Sequence, residues 1–274
     1  MKPTYIHLVA SAYKLPIHIC SDRVARFLWE RLRRAFPFAL AVCLMPNHIH
    51  VVCLSSYPER DRRRLASVLS GLRRSHNPGA AIRFDPVPAP TIIVGRDKLA
   101  RHIRYVVLNP CRDGLCDDPL SWPWSTHRDA VGAISDPWVT SDRLEQALGA
   151  LGRPSRLHHY VSADPSTAVA GTPLPVALDA ETLLPSIPLS FVADAAAAAT
   201  RAPRAAIRSR TPTRALFIAL AQTVGWRDAR VLGEATRITP NAVRRRRRQQ
   251  RPRVQAAALC LADARLRAHP AACH

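Results

Sequence analysis

The stretch Leu44-Met45-Pro46-Asn47-His48-Ile49-His50-Val51-Val52 decides how this chain is read. A Pro-Asn turn leads into an apolar run, so the run reads as a β-strand. Strand side chains alternate, which puts His48 and His50 on the same face. Two imidazoles side by side on a rigid strand can supply two corners of a divalent metal site. A lone pair of this kind is more often two polar residues on the wet face of a half-buried strand, and its removal would then leave the fold largely intact. A second stretch about 55 residues on, Arg104-Tyr105-Val106-Val107-Leu108-Asn109-Pro110, favours the chemical reading. Tyr105 and Asn109 are an i, i+4 pair and share one face of a helix. A phenol has a pKa of ~10 and is a weak nucleophile unless a Lewis acid polarises the centre it attacks. A carboxamide oxygen suits a hard cation such as Mg²⁺ or Mn²⁺, and imidazole shifts the preference toward Mn²⁺ or a heavier ion. The plainer readings are a core aromatic for Tyr105 and a helix terminus before Pro110 for Asn109.

Working outward, the first half gives a consistent order of elements. Thr4–Ala10 reads as a strand. A helix over about 23–35 follows Asp22, with Val24, Phe27, Leu28 and Leu32 as its stripe. Phe38–Leu44 and His48–Leu54 form a hairpin. A helix over about 59–75 buries Leu65, Val68, Leu69 and Leu72 and turns arginines outward. Thr91–Val94 is a short strand, and the helix over about 97–109 carries Tyr105. His102, one turn before Tyr105, reads as an exposed helix residue, with a local base or phosphate contact as the alternative. The order β-α-β-β-α-β is the split pattern of ferredoxin-like α+β folds, in which the third strand is central.

The segments "LMPNHIHVV" and "YVVLNP", followed by Trp122-Pro123-Trp124-Ser125-Thr126, resemble the single-tyrosine HUH transposases, in particular the REP-associated tyrosine transposases. The resemblance covers roughly residues 1–130. It implies a ferredoxin-like HUH nuclease domain with an antiparallel sheet. It implies His48, His50 and Asn109 as ligands of Mg²⁺ or Mn²⁺, and Tyr105 as nucleophile. The implied activity cleaves and rejoins single-stranded DNA, at hairpin or palindromic repeats, through a 5′-phosphotyrosine intermediate. The resemblance also implies that the late helix crosses the histidine face.

Composition points the same way. The 274 residues carry 40 Lys+Arg against 20 Asp+Glu, a net charge of +20, which favours a nucleic-acid partner. Seven cysteines (20, 43, 53, 111, 116, 260, 273) show no Cys-x-x-Cys pair and suit a reducing cytoplasm. The N-terminus shows no secretory signal pattern, and no uncharged apolar run reaches membrane-spanning length, so no membrane association is expected.

The remainder reads as a Pro/Ala-rich linker (131–212) and a small all-α domain (213–274). Helices are expected over Arg214–Val224, about 228–236, about 240–250 and about 253–268. The third holds Arg244, Arg245, Arg246, Arg247 and Arg248. Helix, turn and basic helix form a helix-turn-helix-like pattern, which implies contact with duplex DNA. Five consecutive arginines cover every face of a helix, so some must meet phosphates rather than bases. A solvated helical bundle is the plainer reading of the same pattern. For the whole chain the alternatives are a catalytically inactive DNA-binding protein derived from a transposase, and a ferredoxin-like RNA-binding module that would lack the usual stacking aromatics. A homodimer is left open.

Overall fold

The computed structural model describes residues 3–13, 19, 22–75, 83–164, 167, 169, 187–245 and 251–267. The first elements are β1 (Thr4–Tyr13), α1 (Asp22–Ala35), β2 (Ala39–Leu44), β3 (His48–Ser55), α2 (Pro58–Ser75), β4 (Arg83–Phe84), β5 (Thr91–Ile93) and α3 (Arg96–Arg112). Then come α4 (His127–Ala130), α5 (Ser141–Leu148), α6 (Pro154–Ser162), α7 (Leu189–Thr200), α8 (Pro212–Thr223), α9 (Ala229–Thr236), α10 (Pro240–Arg245), α11 (Arg251–Ala262) and α12 (Ala264–Arg267). They divide into two compact units. The first comprises Met1–Pro119, Trp124–His127 and Trp138–Val169, and the second Leu120–Pro123, Arg128–Pro137 and Ala170–His274.

The first unit is α+β. Its antiparallel sheet runs β2-β3-β1-β4, with β5 also on β1, which is the ferredoxin-like strand order. β4 pairs with the end of β1, at Ala12 and Tyr13, and β5 with its start, at Tyr5 to His7. The two-residue β4 is too short for alternation to announce it. The β2–β3 hairpin closes with the Met45 amide donating to the His48 carbonyl at 2.8 Å. Cross-strand partners share a face. Val9 lies opposite His50 and Ser11 opposite His48, so Tyr5, His7, Val9, His48, His50 and Val52 all point to one side.

The other side carries Ile6, Leu8, Ala10, Ile49 and Val51, all essentially without solvent contact. Asp61 and Arg64 of α2 bear electrostatically on Cys53, which places α2 on that side, with α1 packed against it. The buried stripe of α1 is Ala25, Leu28, Trp29 and Leu32, one position round from the expected Val24 and Phe27, which are half-buried. Trp29 accounts for the rotation: its ring meets Trp124 and Trp138 at centroid distances of 6.0 and 5.2 Å.

Trp124 and Thr126 of the Trp-Pro-Trp-Ser-Thr motif close a sheet edge. Leu44 donates to the Trp124 carbonyl at 2.8 Å and Thr126 to the Val42 carbonyl at 3.0 Å, while the Val42 amide donates to the Thr126 hydroxyl at 2.9 Å. The exposed rim of β2 is thereby paired rather than left as a template for another chain.

The stretch expected to be a linker, 131–212, instead carries α5, α6 and α7 among its described residues. Thr140 caps α5 by accepting from the Arg143 amide, Pro154 opens α6, and seven of the twelve residues of α7 are alanine or valine with no more than slight exposure. Alanine has the highest helix propensity, and prolines at the starts of these helices delimit them rather than break them. Residues 170–186 of that stretch lie outside the described residues.

The second unit is helical around a core of small and aliphatic side chains, including the α7 alanines, Leu216, Phe217, Leu220, Leu232, Val243 and Leu261. α9 and α10 pack together across a three-residue turn that starts at Arg237, in the left-handed region at φ 56°. Arg244 and Arg245 are exposed at the end of α10, and Arg246, Arg247 and Arg248 lie outside the described residues. Among the described residues, no helix is long and apolar enough to cross a membrane, and Cys43, Cys53, Cys111, Cys116 and Cys260 are free thiols.

Candidate active site

β3 delivers His48 and His50 to the sheet face away from α2, and α3 lies against β2 and β3 on that face. The His48 and His50 rings stand perpendicular, with centroids 4.7 Å apart. From α3, the Asn109 side-chain amide meets His50 Nε2 at 2.5 Å. Tyr105, one turn earlier, sets its ring edge-on to His50 at 5.7 Å. His50 and Asn109 are buried, at 3% and 5% exposure, whereas Tyr105 keeps 43% of its surface in solvent. The four residues singled out from the sequence are thus brought together, with the tyrosine on the open side.

Pro110 does not end the helix. α3 continues to Arg112, and Asn109 sits inside it rather than at its terminus. A proline costs its helix one hydrogen bond and a clash in the preceding turn. Here it falls in the last turn, which is closed from beyond: Asp113 donates back to the Asn109 carbonyl at 3.0 Å and Leu115 to the Pro110 carbonyl at 2.8 Å.

Three further residues complete the site: His7 and Asp164, which were not read from the sequence, and His102, which was expected to stand exposed. His7, on β1, places Nε2 3.0 Å from His50 Nδ1. The outer nitrogen of His7, Nδ1, lies 3.3 Å from His102 Nδ1, so His102 is half-buried against β1 instead of standing free on its helix. The alternation of β1, combined with the neighbouring of first and third strands in the ferredoxin-like order, is the signal that points to His7. The third residue is Asp164, just beyond α6. Its carboxylate accepts from Arg112 at 2.6 Å and pairs with Arg104 at 3.2 Å. Those two residues flank Tyr105 by nearly two turns on one side and by one residue on the other. The Arg112 guanidinium also lies over the Tyr105 ring, 5.1 Å from its centroid. Nothing local in the sequence links Asp164 to α3.

Burial governs the protonation of this cluster. It pushes the His50 imidazole down to about 3, with His48 and His7 adding to the effect, and His7 down to about 4, with His102 adding. Burial also lowers His48, against an opposing pull from Asp113, and lowers His102 together with Lys98 and Arg101. The rings are therefore neutral imidazoles at neutral pH, the form that binds metal ions.

Among the described residues, no three His, Cys, Asp or Glu side chains are grouped so as to hold a metal ion. His7 and His102 turn their nitrogens to one another and to His50 rather than toward a common point. The donor set that remains is two imidazoles and a carboxamide. His48 Nδ1 is engaged by the Asn47 side-chain oxygen at 2.7 Å and His50 Nδ1 by His7, so an ion would meet either ring at Nε2, which on His50 is the nitrogen that now holds the Asn109 amide. Rotating the Asn109 amide brings its oxygen to the place of its nitrogen. These three side chains fit a divalent ion that accepts mixed nitrogen and oxygen donors.

No family model matches the chain, and no curated protein matches it. Among solved structures, the chain is similar to a REP-associated tyrosine transposase bound to a REP hairpin, at 19% identity over 47% of this chain and 80% of that one, with a TM-score of 0.37. A likeness of this extent assigns neither an activity nor a ligand.

Proposed function

We propose that the chain is a metal-dependent nuclease and strand transferase for single-stranded DNA, of the HUH tyrosine transposase type. One observation carries the reading: Tyr105 is half-exposed beside the half-buried His48 and the buried His50 and Asn109, with its ring edge-on to His50 at 5.7 Å. Among the described residues, Tyr5, Tyr57 and Tyr160 have no such neighbours in the sheet-face cluster.

His48, His50 and Asn109 would hold Mg²⁺ or Mn²⁺, and the ion would polarise the scissile phosphate and offset its charge. The Tyr105 hydroxyl gives its proton to solvent as its oxygen attacks phosphorus, and the bond to the 3′ oxygen breaks. The DNA 5′ end remains on the protein as a phosphotyrosine, and the 3′ oxygen leaves as a hydroxyl after taking up a proton. Attack by a new 3′-OH reverses the sequence and joins a new strand. Arg112, over the ring and braced by Asp164, restrains Tyr105 and keeps positive charge beside the incoming phosphate. The helical unit would add duplex contact through α10, which ends in Arg244 and Arg245, and through Arg246, Arg247 and Arg248 next in the sequence.

The test is mass spectrometry of protein incubated with single-stranded hairpin oligonucleotides, with and without Mn²⁺. A metal-dependent adduct on Tyr105, absent in Tyr105→Phe, is expected. Uncut DNA under all conditions, an adduct on Tyr57, or full cleavage by Tyr105→Phe would overturn the proposal.

A further inference from the structure

We infer that His7 and His102 are positioning residues that fix the tautomer of His50, keeping its Nε2 bare toward Asn109. The inference rests on the metal-site reading above for its consequence, but its geometry stands apart from it.

Each ring nitrogen of a neutral imidazole is either a donor or an acceptor, so a chain of imidazoles has a direction. The Asn109 side-chain N–H donates to His50 Nε2 at 2.5 Å. His50 then carries its proton on Nδ1 and donates to His7 Nε2 at 3.0 Å. His7 in turn carries its proton on Nδ1 and donates to His102 Nδ1 at 3.3 Å. His102 keeps its own proton on Nε2, and at its half-buried position that proton can meet water. With the Asn109 nitrogen facing His50, every bond in the series is satisfied in this direction only. The opposite direction puts a proton on His50 Nε2, where a cation would have to bind.

A cation at Nε2 needs the same tautomer that the Asn109 amide selects. The series therefore holds His50 ready for a ligand with no ring having to gain or lose a proton. His48 is held in the same way by a different device, its Nδ1–H donating to the Asn47 oxygen at 2.7 Å. The nitrogen that binds a metal is generally set by the hydrogen bond its partner nitrogen makes. A residue that only filled space at His7 would leave the buried His50 Nδ1 without an acceptor, and the proton would move to Nε2 to reach the Asn109 oxygen.

Two readouts on the full-length protein decide this: the tautomer of His50, from long-range ¹H–¹⁵N spectra of the histidine rings, and the Mn²⁺ dissociation constant, from calorimetry. In the wild-type protein His50 should carry its proton on Nδ1, and a proton on Nε2 overturns the inference without any substitution. His7→Leu should shift the proton toward Nε2 and weaken Mn²⁺ binding by about 10- to 100-fold. His7→Gln should keep both close to wild type, because its side-chain oxygen accepts where Nε2 did. Unchanged tautomer and unchanged affinity in His7→Leu overturn the inference. If His7→Leu does not fold, a folded His7→Gln with an altered tautomer overturns it equally. If the wild type binds no Mn²⁺, the metal-site reading falls, while the tautomer spectrum still decides the role of His7.

Discussion

His48 and His50 are two residues apart and differ in almost everything that sets the cost of removing them. His50 is buried and touches His7 on one nitrogen and Asn109 on the other, while His48 is half-buried and bonded to its neighbour Asn47. Truncating His50 leaves two buried polar groups without a partner, at roughly 1–3 kcal/mol each. His50→Ala should therefore lower stability by about 2–4 kcal/mol and His48→Ala by less than about 1 kcal/mol, measured by urea unfolding of the metal-free protein. Equal losses would mean that the His50 contacts do not persist in solution. The sequence pattern alone made both histidines wet strand residues that the fold could spare, and for His50 that expectation is corrected. Period 2 places two side chains on one face but says nothing of what covers the face. The i, i+4 spacing of Tyr105 and Asn109 was legible for the same reason that His7 was not. The first is a rule within one element, and the second needs the strand order and the register between elements.

At the scale of elements, α3 shows how a local rule is overridden. Pro110 marks a stop by propensity, yet the helix runs on because Asp113 and Leu115 close the last turn from beyond it. The same helix is held from outside by Asp164, whose side chain is 1% exposed and meets both Arg104 and Arg112. Removing one partner of a buried ion pair costs about 3–5 kcal/mol. Both guanidinium groups retain about a quarter of their exposure and can turn to water, so the low end applies. Asp164→Ala should destabilise the protein by about 3 kcal/mol in thermal or denaturant unfolding, and a loss under about 1 kcal/mol would show that the clamp contributes little. The misread linker has a related cause. Proline density suggested broken chain, whereas Pro154 and Pro188 stand at helix starts, where a missing amide proton costs nothing. The alanine run of α7 gives no period-3.6 contrast because nearly every position is apolar and buried, so the pattern that announces amphipathic helices is absent.

At the scale of the whole molecule, a net charge of +20 should dominate association with DNA. If about six phosphates are neutralised, affinity should fall about a thousandfold between 50 and 200 mM salt. Replacing Arg244 to Arg248 by alanine should flatten the plot of log affinity against log salt by about 0.9 for each duplex phosphate that is no longer neutralised. An unchanged slope in a fluorescence anisotropy titration would place the phosphate-binding residues elsewhere. The order of elements around the sheet was readable from alternation and turn residues, but the division of the chain was not. Leu120–Pro123 and Arg128–Pro137 belong to the helical unit, although the sheet unit resumes at Trp138 and runs to Val169. A ribosome therefore delivers the two units out of turn. Leu120, Val131 and Ala133, all buried in the finished helical core, emerge before any of α7, α8 or α11 exists to cover them. At ~5–20 residues per second, that wait lasts on the order of ten seconds. Throughout it, a short apolar segment of nascent chain stands without the helices that will cover it, so altering the pace of synthesis across residues 138–260 should change the yield of folded protein.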